Sequence, residues 1–188
     1  MANQNIGDRN LFKELDEFTP QERGIWANNN RIKIAENDKC IIDFVKNSLN
    51  TRDDRQELRI GKIGEKLGKR IIDETETDLT GYKLQMRSDD IRHIFKKHGN
   101  AQTEALRGQQ AITTDDIARF TEVITQFDEV KKTNGGLCFT KDIDGKITAI
   151  TAQADGNRSK SLSLKTMYKG IKRRNDTQAT NAQKEPKP

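Results

Sequence analysis

Cysteine is scarce: Cys40 and Cys138 lie far apart with no CxxC spacing, and only two histidines accompany them. That excludes a disulfide framework, leaves a zinc cluster short of ligands and suits a reducing compartment. Aromatic residues make up 5% and hydrophobic residues 32% of the 188, so the core must be small and part of the chain is expected to stay outside it. No run of about 18 apolar residues is present, and Met1 to Asn10 has no apolar stretch of the kind a secretory signal needs. A soluble chain with no membrane span and no Sec signal is expected, with a cytoplasmic location. Phosphate-loop motifs are missing as well, because Gly61, Gly64 and Gly68 match neither a Walker-type loop nor GxGxxG. The acid pairs Asp53-Asp54, Asp89-Asp90 and Asp115-Asp116 are adjacent in sequence and point apart on helices, so no metal site and no cofactor are expected.

Charge is plentiful. Lys plus Arg number 34 against 29 acids, a net +5, and the excess is uneven. Arg158, Lys160, Lys165, Lys169, Lys172, Arg173 and Arg174 occupy a stretch without a single acid. Such a strip suits a polyanionic partner, and it equally suits an edge strand protected by lysines.

A length of 188 residues allows one ordinary domain with an appendage. Thr19-Pro20-Gln21-Glu22 has the form of a helix start, with a short leading helix around Phe12, Leu15 and Phe18. Asn28-Asn29-Asn30 marks a break, and Trp26 is read as core or interface. Ile41, Ile42, Phe44, Val45 and Leu49 recur at near-helical spacing. From Thr51 to Arg70 charges of both signs surround three glycines, which reads as a connector and a weak helix to about Ile72. Tyr82 to Arg87 alternates as a strand, and Ser88-Asp89-Asp90 caps a helix that ends at Gly99. A loop is expected to Ile112, then a helix opened by Thr113-Thr114-Asp115-Asp116 whose apolar face carries Ile117, Phe120, Val123, Ile124 and Phe127. Strands are expected at 137–143, 146–153 and 161–169, with Asp144-Gly145 as a hairpin turn and Asp155-Gly156-Asn157 as the next one. Helices followed by an antiparallel meander argue an α+β fold. Residues 1–57 are read as an N-terminal helical region, 58–174 as the main domain and 175–188 as a disordered tail.

Two features could carry chemistry. With Ile91 at zero and about 100° per residue, His98 falls in the apolar stripe with Ile94 and Phe95, whereas His93 falls on the solvated face with Arg92 and Lys96. His98 is either a satisfied core or capping histidine or a group aimed at a site. Alternation in the last strand puts Leu162, Leu164, Thr166 and Tyr168 on one face and Ser163, Lys165, Met167 and Lys169 on the other. A core row that ends in two hydroxyls looks like the mouth of a cleft. Together with the basic strip it describes a candidate phosphodiester site.

The run Asp89-Asp-Ile-Arg-His-Ile-Phe-Lys-Lys-His-Gly99, then Gly108 to Ile117 and Leu164-Lys-Thr-Met-Tyr-Lys169 resembles phage-type Barnase-EndoU-Colicin-RelE-like nuclease domains, over roughly Gly61 to Lys172. The resemblance implies helices packed on an antiparallel sheet, here preceded by the N-terminal helices read above, and a metal-independent endoribonuclease of toxin or effector type. In such enzymes the ribose 2′-OH attacks the adjacent phosphate and leaves a 2′,3′-cyclic phosphate. It further implies His98 as general base or acid, His93 as a second candidate, and Thr166 and Tyr168 as phosphate or leaving-group donors. Lys97, Lys165 and Lys169 become charge stabilisers, and Arg158 and Lys172 join them in binding substrate. The implied partners are RNA, tRNA among the candidates, and a cognate inhibitor or immunity protein. A non-catalytic phage or prophage binding module on the same fold is the alternative.

Overall fold

The computed structural model describes residues 32–34, 38–52, 56–155 and 159–171. In chain order these form β1 (Ile32–Ile34), α1 (Asp38–Asn50), β2 (Glu57–Lys62), α2 (Glu65–Thr75), β3 (Lys83–Arg87), α3 (Ser88–His98), α4 (Ala101–Leu106), β4 (Gln109–Gln110), α5 (Thr114–Ala118), α6 (Phe120–Thr125), β5 (Glu129–Thr133), β6 (Gly136–Ile143), β7 (Lys146–Asp155) and β8 (Ser161–Ile171). The features read at Phe12–Phe18, Thr19–Glu22, Trp26 and Asn28–Asn30 lie outside the described residues, as do Arg158, Lys172 and the tail from 175. Among the described residues no helix is long and apolar enough to cross a membrane.

One sheet runs β1-β2-β3-β8-β7-β6-β5, with β4 pairing beside β8. The expected α+β class holds. The meander β5 to β8 is antiparallel, and the Asp144-Gly145 turn closes β6 on β7 with both residues at positive φ, as a two-residue hairpin demands. The sheet as a whole is mixed rather than antiparallel throughout, because β1 joins β2 and β3 joins β8 in parallel. A parallel join needs a long crossover, and everything from α3 to β7 supplies it between β3 and β8.

Several stretches differ from their sequence reading for local reasons. The charged connector contains β2, in which Leu58 and Ile60 turn inward while Glu57 and Arg59 alternate with them. The expected loop after Gly99 holds α4 and the two-residue β4. Thr113 caps α5 through a reciprocal capping box with Asp116, but the helix breaks at Arg119 into α5 and α6. Ser88 is a buried first residue of α3, not its cap; Arg87 holds that position, so strand passes into helix without a loop.

Apolar residues of β2, β3 and the meander pack with those of the helices in one cluster, and Ile41, Phe44 and Val45 of α1 belong to it. In the β7–β8 ladder Thr151 faces Thr166 and Ala152 faces Leu164, which leaves Lys165 as an extra residue. This bulge breaks the simple alternation. Met167, fully buried, joins Leu162 and Leu164 on the helix side, while Thr166 and Tyr168 take the opposite face with Ser161 and Ser163. The core row therefore does not end in hydroxyls; the hydroxyls form a row of their own.

The bulge also turns Lys165 and Lys169 toward the helices. Lys165 donates to both Asp90 oxygens at 3.2 and 2.9 Å, tying β8 to the first turn of α3. Lys169 reaches both oxygens of Asp116 at 2.7 Å and ties β8 to α5. Burial pushes Asp90 upward despite its lysine. Burial pushes Asp116 the same way, but hydrogen bonds from Lys169 and Thr113 outweigh it and the net shift is downward. Elsewhere Arg70 stacks on Phe127 at 3.8 Å and donates to its carbonyl, fixing α2 against the entry to β5.

A depressed aspartate contributes stability that is present above its unfolded value of about 3.9 and lost as pH falls through the folded one. Asp116→Asn is expected to lower stability by about 1–2 kcal/mol at pH 7, with the difference from wild type shrinking below about pH 4 in urea titrations. A Cβ at Gly68, inside α2, would stand 2.2 Å from Thr80 Oγ1 and 3.2 Å from its Cα. Gly68→Ala is therefore expected to lose about 1–2 kcal/mol in thermal melts, although helix propensity alone favours alanine by about 1 kcal/mol.

Candidate active site

The site begins with how α3 ends. Gly99 lies so close to the preceding turn that a Cβ there would be 2.5 Å from the Phe95 carbonyl oxygen, so a bulkier residue would push the chain off its path. Asn100 then caps α4 by accepting from the Thr103 amide at 3.0 Å. This tight reversal brings Glu104 back onto His98, and the Glu104 Oε2 and His98 Nδ1 atoms are 3.1 Å apart. Glu104 is fully buried; its other oxygen accepts from Arg107 Nη1 at 2.6 Å, and Arg107 also donates to the Lys97 carbonyl at 3.1 Å. The end of α3 is thereby stitched to α4.

Strand β8 supplies the second component. It pairs with β3 only over Ser161–Ser163 and with β4 only at Lys169 and Gly170, and α3 packs along it. The His98 ring lies 6.1 Å from the Tyr168 ring, tilted by 37°. Burial pushes the Tyr168 phenol upward, which keeps it protonated and a donor. Thr166 lies two residues away on the same face, about 6.6 Å along the strand. His98 Nε2, the Tyr168 hydroxyl and the Thr166 hydroxyl make no side-chain hydrogen bond among the described residues. Three groups able to move or donate protons are left to serve something other than the fold.

His93 is exposed on the other side of α3, and Lys97 is exposed beside it. Lys165 and Lys169, read as charge stabilisers next to the hydroxyls, are instead on the helix side with their charges taken by Asp90 and Asp116. The bulge is the physical cause.

Other residues come to the hydroxyl face unannounced. The register aligns Arg59, Gln85 and Ser163 across β2, β3 and β8, and Lys83 beside Ser161. Gln85 Nε2 donates to Ser163 Oγ at 2.9 Å in a buried pair. Burial lowers the Lys83 ammonium. Gln109 of β4 stands opposite Gly170, and its buried Oε1 has no partner among the described residues. Cys138 shares the face through Thr151, but burial pushes its thiol upward, away from a nucleophilic thiolate. The in-out alternation of β3 could have revealed Gln85, which sits between Leu84 and Met86; nothing local marks Glu104 or Gln109. Among the described residues no group of three or more His, Cys, Asp or Glu could hold a metal ion.

The family model for PBECR3, described as phage-Barnase-EndoU-ColicinE5/D-RelE like nuclease3, matches residues 61–177. The chain belongs to this family. As a PBECR3 nuclease domain its matched stretch takes in β2 from Gly61 onward and every element through β8, so of the residues just described all but Arg59 fall inside the family's bounds. No curated protein and no solved structure matches the chain.

Because the Tyr168 hydroxyl has no side-chain partner among the described residues, Tyr168→Phe is expected to leave stability within about 0.5 kcal/mol of wild type. Tyr82→Phe provides the control, and chemical denaturation with a fixed m-value reads the result.

Proposed function

We propose that the protein is an endoribonuclease that needs no metal ion and cleaves RNA by attack of a ribose 2′-oxygen on the adjacent phosphorus. The observation that carries this reading is His98, held through Nδ1 by buried Glu104 with its ring 6.1 Å from Tyr168. In the first half of the step His98 takes the 2′-OH proton as the new O–P bond forms. The bond from phosphorus to the 5′-oxygen breaks, that oxygen takes a proton from water to leave as a 5′-OH, and His98 returns its own proton to solvent. Tyr168 and Thr166 donate hydrogen bonds to the phosphate and the leaving oxygen, where charge develops. Lys165 and Lys169 are committed to aspartates, and the cations that the register aligns with the hydroxyl face are Arg59, 3.7 Å from Glu57, and Lys83.

A nuclease made inside a cell endangers its maker, so the reading entails a cytoplasmic RNA substrate, tRNA among the candidates, and an inhibitor that covers the His98–Tyr168 face. One observation favours the second reading, a non-catalytic module that binds nucleic acid or protein: two of the cations expected to neutralise phosphate are spent on the fold.

Total RNA and tRNA incubated with the full chain in EDTA are expected to yield 2′,3′-cyclic phosphate ends. His98→Ala should lower the rate by at least about 100-fold, with Tyr168→Phe intermediate and His93→Ala near wild type. Intact RNA with folded wild-type protein would move the assignment to the binding module.

A further inference from the structure

We infer that Glu104 is a positioning residue that selects the tautomer of His98 and so makes Nε2 the proton-transferring nitrogen. The inference rests on the endoribonuclease reading for its kinetic consequence, but its chemical content is independent of it.

A carboxylate has no proton to give, and Arg107 places a full positive charge 2.6 Å from the other oxygen of Glu104. The bond at 3.1 Å therefore runs from Nδ1–H to Oε2. In a neutral imidazole only one nitrogen carries hydrogen, so Nε2 is left as a bare acceptor. Free histidine has no such bias built in. Here the choice is made by a side chain six residues on, fully buried, and held on its far side by an arginine that is itself half exposed. The same bond stops rotation of the ring about its Cβ–Cγ axis, which would exchange the nitrogens' positions.

A buried carboxylate is costly to keep out of water unless it is fully bonded. Glu104 meets that condition only with both His98 and Arg107 in place. A merely structural partner for the end of α3 could have been any acceptor, including the backbone carbonyls that usually receive a histidine proton. Spending a buried charge on one nitrogen of a ring that lies 6.1 Å from that of Tyr168 points to control of the ring's proton.

The test is nitrogen-15 correlation spectroscopy of the imidazoles in the full chain, with His93→Gln to assign the remaining signal. Neutral His98 is expected in the Nδ1–H form, and Glu104→Gln should move the population toward Nε2–H, with Glu104→Asp between them. In RNA cleavage Glu104→Gln should lower kcat about 10- to 100-fold while KM changes less than about threefold, and Glu104→Asp should recover part of the loss. A wild-type ring in the Nε2–H form would overturn the inference without any Glu104 variant having to fold. So would a Glu104→Gln protein with unchanged tautomer and unchanged kcat. If wild type shows the Nδ1–H form yet cuts no RNA, the tautomer assignment stands and the endoribonuclease reading fails.

Discussion

One surplus residue in β8 governs the rest of the molecule. Lys165 has no opposite number in β7, and the half-turn it forces on the strand decides which side chains meet the helices and which meet the other face. Met167 completes the apolar layer, and both lysines reach aspartates at the starts of α3 and α5. Thr166 and Tyr168 are turned to the face that His98 reaches. Without the bulge, the strand would present Thr166 and Tyr168 to the core and lysines to the opposite side, and neither layer would close. Packing, helix anchoring and site geometry are three readings of the same backbone irregularity.

The ion pairs change the meaning of the chain's basicity. A strip of cations in the last described strand suggests an exposed surface for a polyanion, yet among the described residues two of its members lie mostly buried against carboxylates. Charge counted along a sequence does not distinguish a cation that meets solvent from one that bolts a helix to a sheet. Arg59 and Lys83, which look like parts of a mixed-charge connector and an ordinary strand, are the ones the register brings to the hydroxyl face.

What could be read in advance follows the range of the interactions concerned. Helix α3, the helix start at Thr113 and the Asp144-Gly145 hairpin depend on neighbours within a few residues, and each was legible. The wheel that put His98 inward and His93 outward matches their burial, since a regular helix has one period. β2 was hidden because its outward residues are charged and its two inward ones are too few to stand out. β4 is two residues long and exists only because β8 is beside it. The bulge was invisible for a deeper reason: a single strand carries no mark of where its partner runs short by one residue. Glu104 was missed because a lone glutamate in a polar stretch becomes informative only when the Gly99 reversal folds it back.

The sheet order has a temporal side. β8 is the last of the described strands to be made, yet it lies in the middle of the sheet, and among the described residues the only ladder joining β1–β3 to the meander passes through it. Emergence of the chain from a ribosome would therefore deliver the His98–Glu104 pair, whose partners are close in sequence, well before Tyr168. Until β8 slides between β3 and β7, the two halves of the sheet are separate and the histidine has no hydroxyl row to face. A chain arranged in this way brings His98 and the hydroxyl row together only when the last of its described strands docks.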